Sequence, residues 1–226
     1  MEGAELSTGA YKFLRPGATG PFSGFAWPTP AGESAGQWVD ASTTRGPCRD
    51  GVHGCERRHL PLWIWEELWE LELDGEVESI GHKLSAPRGR LVRRVEAWSP
   101  DSAKDFAVAC AKRAALHASE PLRAAGKNEA ADTFERPADL GTLRGLTAEL
   151  WDELEVEAQI PMGMASDGAL RAMTARDASD PYVNAHGSAV CAYIAALTAL
   201  RVSGSAALAR EREWQAEWLG RELALG

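Results

Sequence analysis

The spacing of hydrophobic positions changes near residue 100. Before it, apolar side chains alternate with polar ones in short stretches, the period of a strand with one buried face. Residues 10–14 (AYKFL) read as a strand ended by Pro16-Gly17, and 24–27 (GFAW) and 37–41 (QWVDA) as two more. Residues 28–36 are loop-like by their Pro, Gly and Ser content. Residues 59–65 (HLPLWIW) predict a short helical turn entered through Pro61. Residues 68–73 (LWELEL) alternate strictly, and Asp74-Gly75 is the dipeptide of a tight hairpin turn. The expected return strand is 77–84, with a last strand at 90–98 carrying Leu91 and Val95 on one face.

After residue 99 the period becomes helical. Ser99-Pro100-Asp101 has the residue types of a helix start and opens a helix to about residue 118. Residues 119–141 are interrupted by Pro121, Gly126, Pro137 and Gly141, so a helical fragment plus loop is expected there. A helix over 142–159, a linker over 161–168 (PMGMASDG) and a short helix over 169–177 follow. The most apolar helix, the expected core helix, is 181–201, with Val190, Tyr193, Leu197 and Leu200 on one face and Ala189, Ala192, Ala196 and Ala199 beside them as a small row that lets another helix approach. A last helix, 205–225, carries Trp214, Trp218 and Leu225 on one stripe.

Composition sharpens this division. Six of the nine Trp and nine of the 39 Ala lie in residues 1–100, and the other 30 Ala lie beyond. The expected fold class is therefore α+β: a mostly antiparallel N-terminal sheet (residues 1–98) packed against a C-terminal Ala-rich helical bundle (99–226), sharing one core. An apolar fraction of 45% and a charged fraction of 25% are those of a globular chain. A net charge of -9 disfavours a nucleic-acid or polybasic membrane partner, since both need clustered Lys and Arg. No uninterrupted apolar run approaches 18 residues, and the acidic start MEGAEL lacks the features of a secretory signal, so the expected location is cytoplasmic. Cysteines there stay reduced.

One segment concentrates chemistry. Cys48-Arg-Asp-Gly-Val-His53-Gly-Cys55 places two thiols and an imidazole within eight residues, with His59 four residues on. On a strand His53 and Cys55 point to one side, and the Asp50-Gly51 turn would return Cys48 to them. Cys48, His53, Cys55 and His59 are thus the candidate metal ligands, with zinc the metal their chemistry suits. The spacing is not a standard zinc motif. The same residues suit buried packing, or a cysteine nucleophile (Cys48 or Cys55) with His53 as acid or base. The other local concentration is basic. Arg88, Arg90 and Arg93 are candidate anion- or cofactor-binding residues, and they equally suit pairing with Glu66, Glu67, Glu70 and Glu72 on a neighbouring strand.

The string CRDGVHGCERRHLPLWIWEELWELELDGEV, with YKFLRPGATGPFSGFAWP before it and APRGRLVRRVEAW after it, resembles an uncharacterised family of actinobacterial-type proteins with phage-encoded relatives. Its marks are Cys48, Gly51, Val52, His53 and Cys55, then Leu68, Trp69, Glu72 and Leu73. The resemblance spans residues 10–98 and implies no activity. At the level of fold, the order of elements is similar to that of mono-ADP-ribosyltransferases. That likeness implies NAD in a cleft between two small sheets, faced by Arg15 or His53, with Glu72 or Glu96 acting on it. The family's usual His/Arg, Tyr/Ser, Glu order is not evident in this chain.

Three functional expectations result. One is an enzyme acting on a small polar or nucleotide-like molecule near Cys48–Cys55, with His53, Cys48, Cys55 and Glu72 as catalytic candidates. The second is an interaction or regulatory module whose Cys/His segment is structural, with or without zinc. The third is an NAD-using transferase. The oligomeric state is not encoded in any feature of the sequence.

Overall fold

The computed structural model describes residues 8–32, 34–41 and 51–226. Its strands are β1 (Thr8–Leu14), β2 (Val39–Asp40), β3 (Val52–Gly54), β4 (Glu67–Asp74), β5 (Glu78–Ile80), β6 (Lys83–Ala86) and β7 (Arg88–Arg94). Its helices are α1 (Pro100–Ala124), α2 (Asn128–Glu135), α3 (Leu140–Leu150), α4 (Val156–Asp177) and α5 (Pro181–Glu222). The fold is α+β, and all the strand pairs are antiparallel among the described residues. The chain forms two compact units, Met1–Ser99 with Gly220–Gly226, and Pro100–Leu219.

The first unit holds two sheets, ordered β1-β4-β7-β2 and β3-β6-β5. Alternation along the strands supplies the core between them. Ala10 and Leu14 of β1, Trp69, Leu71 and Leu73 of β4, and Leu91 of β7 meet Val52, Leu84 and Ala86 of the second sheet in one buried cluster. Glycines let the backbones approach: a Cβ on Gly54 would sit 2.7 Å from a Leu71 methyl, and one on Gly89 would sit 2.6 Å from Val52. On the opposite face of β1, Phe13 packs edge-on against buried Trp98 at 5.4 Å.

The Asp74-Gly75 turn does not close the expected hairpin. β4 pairs with β7, and the 77–84 segment is instead split between β5 and β6, which pair with each other through the turn at Gly81. Gly75 does adopt a positive φ of 85°, and Pro87 lies where a Gly75 Cβ would project, so only glycine fits there. The predicted strand at 24–27 is also absent. Flanked by prolines, with Gly24 at a φ of 68°, it makes a single bridge from Ala26 to Thr19.

Glu67 is the buried polar anchor of this unit. Its carboxylate is 6% exposed and accepts hydrogen bonds from the backbone amides of Gly17 (3.1 Å) and Ala18 (3.0 Å) and from the Trp69 indole (3.1 Å). These bonds hold Ala18 at a φ of 54°, a conformation costly for a residue with a Cβ. They thereby fix where the following segment, Gly20 to Trp27, leaves the sheet.

In the helical unit, tertiary packing overrides two local breakers. Residues 161–168, predicted as a linker, are the middle of α4. Pro161, Met162, Ala165, Gly168, Ala169, Ala172 and Ala175 form a buried face at helical spacing across the whole segment. α1 likewise continues past Pro121 to bury Leu122. α5 breaks at Gly204, whose φ of 78° and ψ of -172° divide it near the predicted boundary. Its core face is the small one: Ala185, Ser188, Cys191, Ala195 and, from the expected alanine row, Ala192, Ala196 and Ala199 are buried, whereas Tyr193 and Leu200 are 55% and 38% exposed. Small residues allow close helix approach, and the bulky stripe is turned out. An 18-residue window of α5 reaches a mean hydropathy of 1.4, long and apolar enough to cross a membrane by length and composition, a property that buried core helices share.

Glu211, fully buried, accepts from Arg113 (2.9 Å from Nε) and from Gln215 (3.2 Å), and lies 2.9 Å from His117 Nε2. Burial pushes its pKa up, but the hydrogen bonds from His117 and Arg113, with the Arg113 charge, outweigh this and hold it below the usual carboxylate range. A depressed folded-state pKa gives stability that is present above the unfolded value and lost as pH falls through the folded one. Glu211→Gln should therefore destabilise the protein at neutral pH and approach the wild-type stability in acid, as read by urea unfolding across pH. A difference independent of pH contradicts this. Glu67→Ala should cost about 2–3 kcal/mol, because the buried Ala18 amide and Trp69 indole lose their acceptor, as does the more exposed Gly17 amide. A loss below about 0.5 kcal/mol in the same measurement would show that the turn does not need the carboxylate.

Candidate functional site

Between the two sheets of the first unit, beside the core cluster, lies a cavity of about 540 Å³. β1 contributes Lys12, β3 contributes His53, β6 contributes Lys83, and Cys55 follows β3. Aromatic walls come from the Gly20 to Trp27 segment and from Trp63 and Trp65, which follow the helical turn Arg57–Leu62. The size and the mixture of apolar wall with few polar groups are those of small-molecule sites.

Lys12 is the central group. It stands between Ala10 and Leu14 on the core-facing side of β1, where strand alternation calls for an apolar residue. Its ammonium donates to the His53 carbonyl at 2.5 Å and lies 5.0 Å from the centre of the Trp27 ring. Its recorded ion pairs and electrostatic neighbours include no carboxylate among the described residues. Burial lowers its pKa to about 8; the Cys55 side chain opposes the shift and Lys83 adds to it. Holding an ammonium desolvated, with no carboxylate beside it among the described residues, costs folding free energy.

Two further cations meet tryptophans nearby. Lys83 Nζ lies 4.7 Å from the Trp63 ring centre, and the Arg15 guanidinium 5.1 Å from that of Trp65. Phe25 packs edge-on to Trp27 at 5.6 Å, and Phe22 edge-on to Trp65 at 5.9 Å. Phe22 is 80% exposed, which places an apolar ring at the cavity rim. Asp40 also lines the cavity, and its carboxylate is 3.5 Å from Arg88 Nε.

His53 is half-buried, and burial first, then the Lys12 and Lys83 charges, hold its pKa below the usual imidazole value. It is therefore a neutral imidazole at pH 7, able to accept or pass a proton. Cys55 is buried, and burial pushes its thiol up to about 12 although Lys12 opposes the shift. A protonated thiol is a poor nucleophile, which favours a packing role for Cys55. Its backbone bridges Tyr11 in both directions, at 2.9 and 2.8 Å, tying β1 to the second sheet.

Of the metal candidates, Cys48 lies outside the described residues. His53 and Cys55 share the cavity wall. His59 instead sits on the helical turn, its ring 5.0 Å from that of His82. Among the described residues no group of three His, Cys, Asp or Glu side chains is placed to hold a metal ion. The arginines and Glu72 lie on β7 and β4, with Arg90 Nε 2.6 Å from Glu72 and Arg93 bonded through two nitrogens to Glu70 at 2.7 and 2.6 Å. Val92 is the extra residue of a bulge in this pair, which brings Arg90 and Arg93, three positions apart, onto the face carrying Glu72 and Glu70. Arg88 Nε is 3.5 Å from Asp40 and 3.8 Å from Asp74.

The sequence reading passed over Lys12. The available signal was a lysine flanked by Tyr11 and Phe13 and by Ala10 and Leu14, so that either strand face would bury it. Comparison with protein-family models, with curated proteins and with solved structures finds no match.

Iodoacetamide at pH 8 should leave Cys55, Cys110 and Cys191 unmodified in the native protein, since all three are buried with raised pKa values. Peptide mapping before and after unfolding checks this. Rapid native labelling of Cys55 would restore it as a candidate nucleophile.

Proposed function

We propose that the first unit binds a small anionic molecule with a flat ring, nucleotide-like in character, in the cavity around Lys12, as the substrate site of an enzyme. The observation that carries this reading is the Lys12 ammonium, desolvated at an aromatic-walled cavity and without a carboxylate partner among the described residues. A ligand anion would supply the missing counter-charge, and Lys83 would add a second cation. Trp27, Phe25 and Trp63 would stack on or flank the ring. His53, neutral at pH 7, is the acid/base candidate, consistent with its place in the sequence-based reading.

The charge balance separates this reading from the transferase expectation. Asp40 is the sole carboxylate residue lining the cavity among the described residues, whereas Glu72 is engaged by Arg90 on β7.

A thermal-shift series on the full chain tests the proposal with AMP, NAD, adenosine, terephthalate and inorganic phosphate as probes. A bound anion present at 100 times its Kd stabilises the native state by about 2.7 kcal/mol. AMP or terephthalate should raise Tm, uncharged adenosine should raise it less, and Lys12→Met should abolish the anion effect. The proposal falls if no anion shifts the wild type, or if Lys12→Met responds as the wild type does.

A further inference from the structure

The cavity around Lys12 holds more than an anion site needs. We propose that Lys12 is a carbonyl-capturing amine, which forms an imine with an aldehyde or ketone group on the ring-bearing anion that the cavity takes. This inference rests on the ligand reading above and names the reactive group of that ligand.

Geometry supports it in three ways. Lys12 Nζ lines the cavity from the core-facing side of β1, so a bound molecule meets it away from bulk water. One N–H is committed to the His53 carbonyl at 2.5 Å, which fixes the position of the nitrogen. Burial at the cavity wall and the Lys83 cation disfavour the charged form. A desolvated lysine next to a second cation is the general arrangement that activates an amine nucleophile. At a pKa of about 8, roughly one molecule in ten carries the neutral amine at pH 7, against about one in three thousand for an ordinary lysine.

The step balances without an external oxidant or reductant. The nitrogen lone pair attacks the carbonyl carbon, forming the C–N bond, while the carbonyl π pair moves to oxygen. A proton passes from nitrogen to that oxygen, giving the carbinolamine. A second proton delivered to the hydroxyl lets it leave as water, and loss of the remaining N–H proton completes the neutral imine. His53, which shares the cavity wall, would relay these protons as the acid/base group. The titratable groups that act on Lys12 are Cys55, the residue after β3, and Lys83 of β6; His53 of β3 and Asp40 of β2 share the cavity wall, and Tyr11, on the other face of β1, points away from it.

The probe is 4-carboxybenzaldehyde with sodium cyanoborohydride on the full chain, with adducts mapped by peptide mass spectrometry. The five lysines, Lys12, Lys83, Lys104, Lys112 and Lys127, are internal competitors. Lys12 should be modified at least about tenfold faster than any other at pH 7, with a rate that levels off above pH 8. Terephthalate, which has the same ring and no aldehyde, should protect it. Lys12→Arg keeps a cation and a donor to the His53 carbonyl, and should retain the terephthalate thermal shift while losing the fast adduct. Uniform labelling, or preference for Lys83, overturns the inference. If terephthalate still binds in that case, the ligand reading stands and the imine alone fails. If terephthalate does not bind either, both fail. Should Lys12→Arg not fold, the wild-type labelling pattern decides.

Discussion

The cavity depends on a carboxylate that does not touch it. Glu67 gathers the amides of Gly17 and Ala18 and the indole of Trp69 around one buried negative charge. The bonds compensate for a positive φ at Ala18 that an alanine would not adopt unaided. The part of the aromatic wall that runs from Gly20 to Trp27 departs from that turn. The side chain that shapes the wall is therefore on β4, whereas the charge that the wall surrounds is on β1.

Two opposite requirements meet in the first unit. Close approach of the sheets needs small residues, and Gly54 and Gly89 provide it where Leu71 and Val52 pass. An opening between the same sheets needs groups that hold them apart. Lys12 and Trp63 line that opening beside Gly54, and Trp27 belongs both to its wall and to the core cluster. The alternation that builds the core thus continues into the cavity, with one lysine in an apolar register marking the transition.

The α+β class and the change at residue 100 were legible because they follow from period and composition. The alternation in 68–73 and the alanine spacing beyond 100 carry that information locally. What was not legible depended on partners distant in sequence. Asp74-Gly75 has hairpin chemistry, yet the partners of β4 are β1 and β7, both distant in sequence. Pro161 and Gly163 are breakers by local rule, yet the buried face from Met162 to Ala175 keeps α4 continuous. On α5, by contrast, the small row was legible from its spacing, and Ala192, Ala196 and Ala199 of it are buried. At the site, His53 and Cys55 were found by their spacing. Lys12 was not, since a lone lysine on a strand is ordinary until its register shows that both faces are covered.

β1 belongs to two structures at once. Along one edge it zips to β4 over seven residues, while at Tyr11 it is clasped to Cys55 by two backbone bonds. A clasp of two bonds is worth about 2 kcal/mol, far less than the ladder opposite. Its release would swing β3 and the His53 carbonyl off the Lys12 ammonium without disturbing the β1–β4 ladder. The amides of Tyr11 and Cys55 would then exchange with solvent ahead of their neighbours, and the doorway to the lysine would be a fluctuation of the sheet seam itself.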